Sequence, residues 1–517
     1  MKKFLRCAAV LTAAVVGLSA LSGCTGKEKG SGAGGKSTLK VEIFDRGDVP
    51  AGAGTVTDNA LTNWIKDNFG KPNNIDVEFV SVPRDQEIQQ LNVLMAAGEA
   101  PDVVFAYDYT TLYSFYKNGG LTDLTEYVAK ADNLKKLLGE DVLKYGEVDG
   151  KQVMIPGRRI LTARTAQLIR QDWLDKVGMK APTNKEELYN VLKAFKEKDP
   201  GNVGEKNIPW GIATNTAYFT DCLYSFAEWD KMDEAEKAVT PWPMKPGFKE
   251  GLRFMNKLYN EGLISPDFAL DKDYKQLQSD FANGYVGFIN DDFGRPLQSG
   301  GSYETLKKNV PSAKLSAVDT FTDGEGKHPK EVYAPVGLYI VVPKSSKNAE
   351  NAVKYLDWMA QDDVLKTLQF GWEGKTYNLD ENGFPQVIET EEAKKQHWYN
   401  LGFDTAVIVN GKYLGDSEKS VEYNAAATGE NKGLYMQCYK NAINDGWTPV
   451  IMPPNDALVK YQTNISTKFD EIVTKSIIAS PAEFDKTFDE LQKQFIEVGG
   501  KEVNEAALKQ YKEIFKK

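Results

Sequence analysis

The chain has 517 residues, with 63 basic against 73 acidic side chains and a formal net charge of −10. The first 23 residues carry Lys2, Lys3 and Arg6 and no acid, so the remainder stands at −13. That balance argues against a nucleic-acid partner and against docking flat on an anionic bilayer, and the length is too great for one hydrophobic core, so two lobes are expected.

In chain order, the basic head is followed by an apolar segment from about Cys7 to Leu21, too short and too early for a spanning helix, which reads as a secretory signal. Leu21-Ser22-Gly23-Cys24 closes it, and small residues directly before cysteine resemble the lipobox of bacterial lipoproteins. The resemblance implies cleavage after Gly23 and acylation of Cys24 by palmitate-type chains; the alternative is an ordinary cleaved signal with an incidental cysteine. Two or three acyl chains would anchor durably where one is marginal. Residues 24–37 then read as a Gly-, Ser- and Lys-rich flexible tether. Gly30, Gly35, Lys36 and Ser37 match the phosphate-loop spacing there, but no buried strand leads in and no helix leads out, so nucleotide binding is not expected.

Leu39, Val41 and Ile43 alternate as a strand does, and Asp58 can cap a helix burying Leu61, Trp64, Ile65 and Phe69. Ile75, Val77 and Phe79 predict a second strand, and Asp85 a cap for a helix burying Ile88, Leu91, Leu94 and Met95 and ending at Gly98. Val103-Val104-Phe105 suits a strand buried on both faces. The order βαβαβ predicts parallel strands with right-handed crossovers, and ligands in such sheets bind beyond the carboxyl ends of the strands. Asp45-Arg46 and Tyr107-Asp108 occupy those ends.

Past residue 150 the pattern is more helical. Thr183 and Glu186 predict a capping box before the Leu188, Val191, Leu192, Phe195 stripe, and Phe248, Leu252, Met255 and Tyr259 make another, ended by Gly262. A strand Val286–Ile289 emits Asn290-Asp291-Asp292, Val332–Val342 reads as one long strand, and Ala349, Ala352, Val353, Leu356 and Met359 form a helical face. Ser480 and Glu483 predict a last capping box, before Phe484, Phe488, Leu491 and Phe495.

After Cys7 and Cys24, only Cys222 and Cys438 remain, and a disulfide or two buried thiols are equally open. The two histidines, His328 and His397, lie in no metal-ligand spacing, so a zinc centre or a Ser-His-Asp triad has little to build on, although paired carboxylates stay open among so many acids.

Eight segments in sequence order now carry a family resemblance: AAGEAPDVVFA (96–106), GGLTDLTEYV (119–128), DGKQVMIP (149–156), IRQDWLDKVGMKAPTNKEEL (169–188), FANGYVGFI (281–289), APVGLYIVVPKSSKNAENAVKYLDWM (334–359), GWEGKTYN (371–378) and FDKTFDELQKQF (484–495). The chain resembles the family 1 bacterial extracellular solute-binding proteins, the receptor lipoproteins of ABC importers, of the Gram-positive type. The resemblance implies an α/β fold, periplasmic-binding-protein-like type II: two α/β lobes joined by crossing strands, with a ligand cleft between them that closes by a hinge. By that analogy the first lobe comprises 38–155 and 335–445 and the second 156–334 and 446–517, with crossings near Ile155-Pro156, Tyr333–Val336 and Gly446–Pro453. It also implies a monomer on the outer face of the cytoplasmic membrane, held only by lipidated Cys24, capturing a small solute, commonly an oligosaccharide, for ABC permease subunits, without enzymatic turnover or cofactor.

A sugar needs planar polar partners for its hydroxyls and aromatic rings for its C–H faces. The candidates are Asp45, Arg46, Tyr107, Asp108, Arg158, Trp210, Asp291, Asp292, Trp372, Glu373 and Trp447; Trp173 is taken as structural. Each has a plainer reading: Asp45 and Asp108 as helix caps, Arg158 as half of a hinge ion pair, Trp372 and Trp447 as core. Some relatives carry a calcium loop where this chain has Asp199–Asn207, but Gly201 and Val203 stand where oxygen donors belong, so no metal is expected. A peptide receptor of the same fold, a surface carbohydrate-active enzyme with two carboxylates on one bond, and a partner-binding scaffold lipoprotein stay open as alternatives.

Overall fold

The computed structural model describes residues 36–214 and 216–515. The signal, Cys24 and most of the tether lie outside them. Among the described residues no helix is long and apolar enough to cross a membrane.

β1 (Ser37–Asp45) and β2 (Ile75–Pro83) pair in parallel along their whole length. β3 (Val104–Ala106) follows the helix Glu87–Ala97 and is bridged to β1, where Val103 N–H donates to Lys40 O at 3.0 Å and Glu42 N–H to Val103 O at 2.9 Å. The expected βαβαβ unit is therefore present. Gly98 ends the helix at φ 69°, a left-handed position where a side chain would be strained.

A hairpin, β4 (Glu147–Val148) and β5 (Lys151–Gln152), leads into β6 (Ile155–Arg159). The chain then builds a second sheet from β7 (Thr165–Arg170), β8 (Ile208–Gly211), β9 (Val286–Asp292) and β10 (Leu315–Val318), in the order β10-β7-β9-β8. It returns through β11 (Lys330–Glu331) to β12 (Val336–Val341), which inserts antiparallel between β3 and β6. A small hairpin, β13 (Tyr377–Leu379) and β14 (Pro385–Val387), precedes β15 (Val409–Asn410), parallel to β6. Finally β16 (Gly446–Trp447) pairs in parallel with β11 between the two sheets.

Two separate cores result. The first gathers residues from Leu39 to Ile160 and from Val336 to Val409; the second gathers Ala166 to Phe321, then Ala425, Tyr435, Cys438 and Ile472 to Phe495. Trp173 is fully buried in the second, edge-on to Phe195 at 5.2 Å. Gly287 in β9 lets this layer close on the sheet, because a Cβ there would stand 2.5 Å from the Phe195 ring and 2.8 Å from that of Trp173.

Several expectations shift. The passage from first to second core runs between Ile160 and Thr165, a few residues past Ile155-Pro156. The long strand expected over Val332–Val342 is strand only from Val336 to Val341, because Pro335 has no N–H to donate and Tyr333 N–H turns to Thr162 O at 2.8 Å. The last passage comes earlier than Gly446–Pro453: Tyr435, Cys438 and Ala442 of the helix Lys432–Ile443 are buried, and that helix lies against β7 and β10. Cys222 and Cys438 are both buried free thiols.

Candidate functional site

Strand direction decides where a ligand could sit. β1, β2, β3 and β6 run the same way, so their carboxyl ends share one edge of the first sheet. In the second sheet β9 and β10 run opposite to β7, and β8 runs with β9, so three carboxyl ends share an edge with the start of β7. The link from β6 to β7 and the link from β11 to β12 join these two edges, which places the gap between the lobes at the strand ends.

On the first edge, Arg46 is half-buried and bonds Asp404 through two 2.8 Å contacts from Nε and Nη2, which holds its guanidinium firmly charged. Arg84, following β2, is ion-paired with Glu87 and lies 4.6 Å from the Tyr107 ring centroid. Tyr107 N–H donates to Glu87 Oε1 at 3.2 Å. Asp45 accepts from Gly47 N–H at 2.8 Å, and Asp108 caps the helix Tyr109–Lys117 by accepting from Thr111 N–H at 3.0 Å. Both carboxylates thus have backbone duties at the edge where ligand was expected.

Arg158 and Arg159 illustrate how alternation along a strand splits neighbours. Arg158 turns into the first lobe, where Nε donates to Leu137 O at 3.0 Å and Nη2 reaches Leu138 O and Asp141. Arg159 turns the other way and lies over the Tyr333 ring, 4.3 Å from its centroid. The sequence expectation chose the wrong member of the pair for the strand-end edge.

On the second edge, Asp291 is 5% exposed and paired with Arg295, which also meets Asp292 at 3.2 Å and the Tyr218 hydroxyl at 3.0 Å. Burial raises the Asp291 carboxyl to about 6 despite Arg295. Asp292 itself is exposed. One arginine serves both acids, so they do not form two carboxylates facing one another across a substrate bond.

Beside the return strand β11 and its partner β16, second-lobe residues build an aromatic wall. Glu331 is ion-paired with Arg164 and accepts from the Tyr224 hydroxyl at 3.3 Å. Trp447, the register partner of Glu331, packs its ring 4.8 Å from Tyr224 and 5.0 Å from Trp229. Trp242 stacks on Tyr224 at 4.4 Å, and Lys245 lies 4.8 Å over the Trp242 ring, its amine lowered to about 8 by burial. Trp229, Trp242, Lys245, Glu331 and Trp447 line a cavity of about 340 Å³, and a second of about 580 Å³ shares Trp229 and Trp447. Both are large enough for at least one sugar ring.

Three other candidates, Trp210, Trp372 and Glu373, lie elsewhere. Trp210 is 0% exposed, wedged between Phe288 and Phe321 at 5.3 and 5.5 Å, so it is core and offers no face to a ligand. Trp372 is half-buried against the first core in the loop after the helix Asp362–Phe370, its backbone N–H donating to Thr376 Oγ1 at 2.6 Å, with Glu373 exposed beside it. None of the three is brought to the aromatic wall. In the Asp199–Asn207 loop the Asp199 carboxylate accepts from Val203 and Gly204 N–H at 3.1 and 2.8 Å. Among the described residues no three His, Cys, Asp or Glu side chains gather as a metal site.

The family model for bacterial extracellular solute-binding proteins matches residues 53–366, over half of the chain. The chain belongs to that family. It is 26% identical over 447 residues to lipoprotein LipO of Bacillus subtilis, covering 83% of this chain and 84% of that one. It is 24% identical over 472 residues to the polygalacturonan/rhamnogalacturonan-binding protein YtcQ of the same organism, with 86% of each covered. An HMO-binding, ABC-transporter-associated solute-binding protein from Bifidobacterium longum infantis shares the fold, with a TM-score of 0.68 at 20% identity over 93% of this chain and 99% of that one. The fold is therefore the type II solute-binding architecture.

Arg84, Arg159, Arg164, Tyr333, Tyr224, Trp229 and Trp242 were absent from the sequence candidates. Strand alternation beside Arg158 was a signal for Arg159. Trp229 and Trp242 stand in short turns without periodicity, and only packing assembles them.

Proposed function

We propose that the chain is the extracytoplasmic receptor of an ABC importer, tethered through Cys24, that captures an oligosaccharide between its lobes and passes it unaltered to a permease. The observation that carries this is the wall of Trp447, Trp229, Trp242 and Tyr224 at the junction of two lobes whose facing edges hold guanidinium and carboxylate groups. Ring faces match sugar C–H surfaces, and forked donors match vicinal hydroxyls. Family membership and the saccharide binding named for YtcQ and the Bifidobacterium protein support the same reading.

Calorimetric titration of the purified chain against a panel of oligosaccharides and peptides tests it. A saturable oligosaccharide ligand is expected, with Trp447→Ala weakening it at least tenfold. A peptide ligand with no saccharide response would favour the other receptor class, and chemical change in a recovered sugar would favour an enzyme.

A further inference from the structure

Resting on the oligosaccharide reading, the charges on the first edge narrow the class of sugar. Four guanidiniums line the path from that edge to the aromatic wall: Arg46, Arg84, Arg159 and Arg164. Three have a carboxylate of their own, namely Asp404, Glu87 and Glu331. Arg159 does not. Among the described residues no acidic side chain pairs with it; its Nε makes one 3.4 Å contact to Val336 O, and its plane rests on Tyr333. Of the other carboxylates nearby, Asp45 and Asp108 are each committed to a backbone N–H and Asp48 accepts from Asn400 Nδ2 at 2.6 Å.

A half-buried cation without a counter-charge is costly, and burial accordingly pulls the Arg159 pKa down, with only the Tyr333 and Tyr107 hydroxyls working against it. The rest of the molecule is anionic, at −13 beyond residue 23, so an unmatched guanidinium at the gap runs against the general charge. Its terminal nitrogens form a planar fork whose best complement is a carboxylate, and the Tyr333 ring 4.3 Å away covers one side of that group.

We propose that Arg159, lying on Tyr333 at the carboxyl end of β6, receives a carboxylate of the bound oligosaccharide, so that the cargo is an acidic sugar of the uronate class. The missing fourth carboxylate of the rim is supplied by the ligand. A neutral sugar could accept hydrogen bonds at the same nitrogens but would leave the charge unbalanced.

Uronate oligosaccharides of three to six units, from galacturonate, mannuronate and glucuronate series, are titrated calorimetrically against the full mature chain beside their carboxyl-reduced counterparts. At least one acidic member is expected to bind tenfold or more tighter than its reduced form. Arg159→Gln should abolish that preference, bringing acidic and reduced forms to the same affinity, and Arg159→Lys should restore part of it. Reduced sugars binding as tightly as acidic ones overturn the carboxylate subsite and leave the oligosaccharide reading standing. A preference that survives Arg159→Gln overturns the assignment to this residue. Binding by neither form overturns both readings. The wild-type comparison needs no variant, so a folding defect in Arg159→Gln does not blunt the test.

Discussion

Glu42 sits in the middle of β1, 3% exposed, with Oε2 accepting from Phe105 N–H at 3.1 Å. Burial raises its carboxyl from the usual 4.5 to about 8, against the lowering effect of that hydrogen bond. Because the folded value lies above the unfolded one, the protonated form is favoured by folding. The associated stability is intact below about 4.5 and is lost as pH rises towards about 8. Urea midpoints across that window should fall in the parent and flatten in Glu42→Gln, which should be the more stable protein at pH 8. An identical pH slope in both would remove Glu42 as the cause. Two tryptophans make the opposite kind of contrast. Trp210→Ala should cost about 3–5 kcal/mol of stability, as loss of a buried indole does. Trp447→Ala, half-exposed in the wall, should cost mainly affinity. Denaturant melts and titrations of the pair separate the two roles. Sequence chose both residues for the same reason, that indoles suit sugars, and could not tell a ring between Phe288 and Phe321 from one facing a cavity.

Among the elements, amphipathic stripes and alternating strands were legible, and their boundaries less so. The first helix is capped by Asn59, which accepts from Leu61 and Thr62 N–H at 3.0 Å while Asn59 N–H donates back to Thr62 Oγ1 at 2.9 Å; the expected cap was its neighbour Asp58. Likewise Asn184, and not Thr183, accepts from Glu187 N–H at 2.9 Å. In both places two good capping residues adjoin, and the backbone conformation that chooses between them is set by the packing of the helix behind. Asn59→Ala should therefore lower stability by about 1 kcal/mol, read from urea melts, with Asp58→Ala nearly silent. The same dependence on context broke the expected strand at Pro335. The run Val332–Val342 looked continuous, but the missing N–H and the turn of Tyr333 toward Thr162 confine the strand to Val336–Val341 and leave Val332 N–H bonded to Trp447 O at 3.0 Å. Lys330 then pins the hinge strand, bonding both Asp319 oxygens at 2.8 and 2.7 Å and Asn441 O at 2.7 Å.

Across the whole molecule, two separate cores linked through residues 160–165 and through β11 imply that the lobes can move as bodies about those links. Ligand should then lower the radius of gyration in small-angle scattering, and an unchanged radius at saturation would count against closure. The proposed lipid tether makes a separate prediction: Cys24→Ser should shift the chain from the membrane fraction to the medium, whereas an ordinary signal would leave it secreted either way. Sequence made the two-lobe plan legible because strand ends and family segments survive as local patterns, whereas the Pro-rich Gly446–Pro453 misplaced the last passage. The composition of the gap was not legible, since Arg159, Tyr333, Tyr224 and the three tryptophans come from distant segments that only the fold assembles. The most direct test of the whole account is to equilibrate the purified chain with the oligosaccharide panel, measure binding calorimetrically, and analyse the recovered sugars by mass spectrometry. Saturable binding of one oligosaccharide class with every recovered mass unchanged is the predicted result. No binding across the panel, or recovery of shortened sugars, would contradict it.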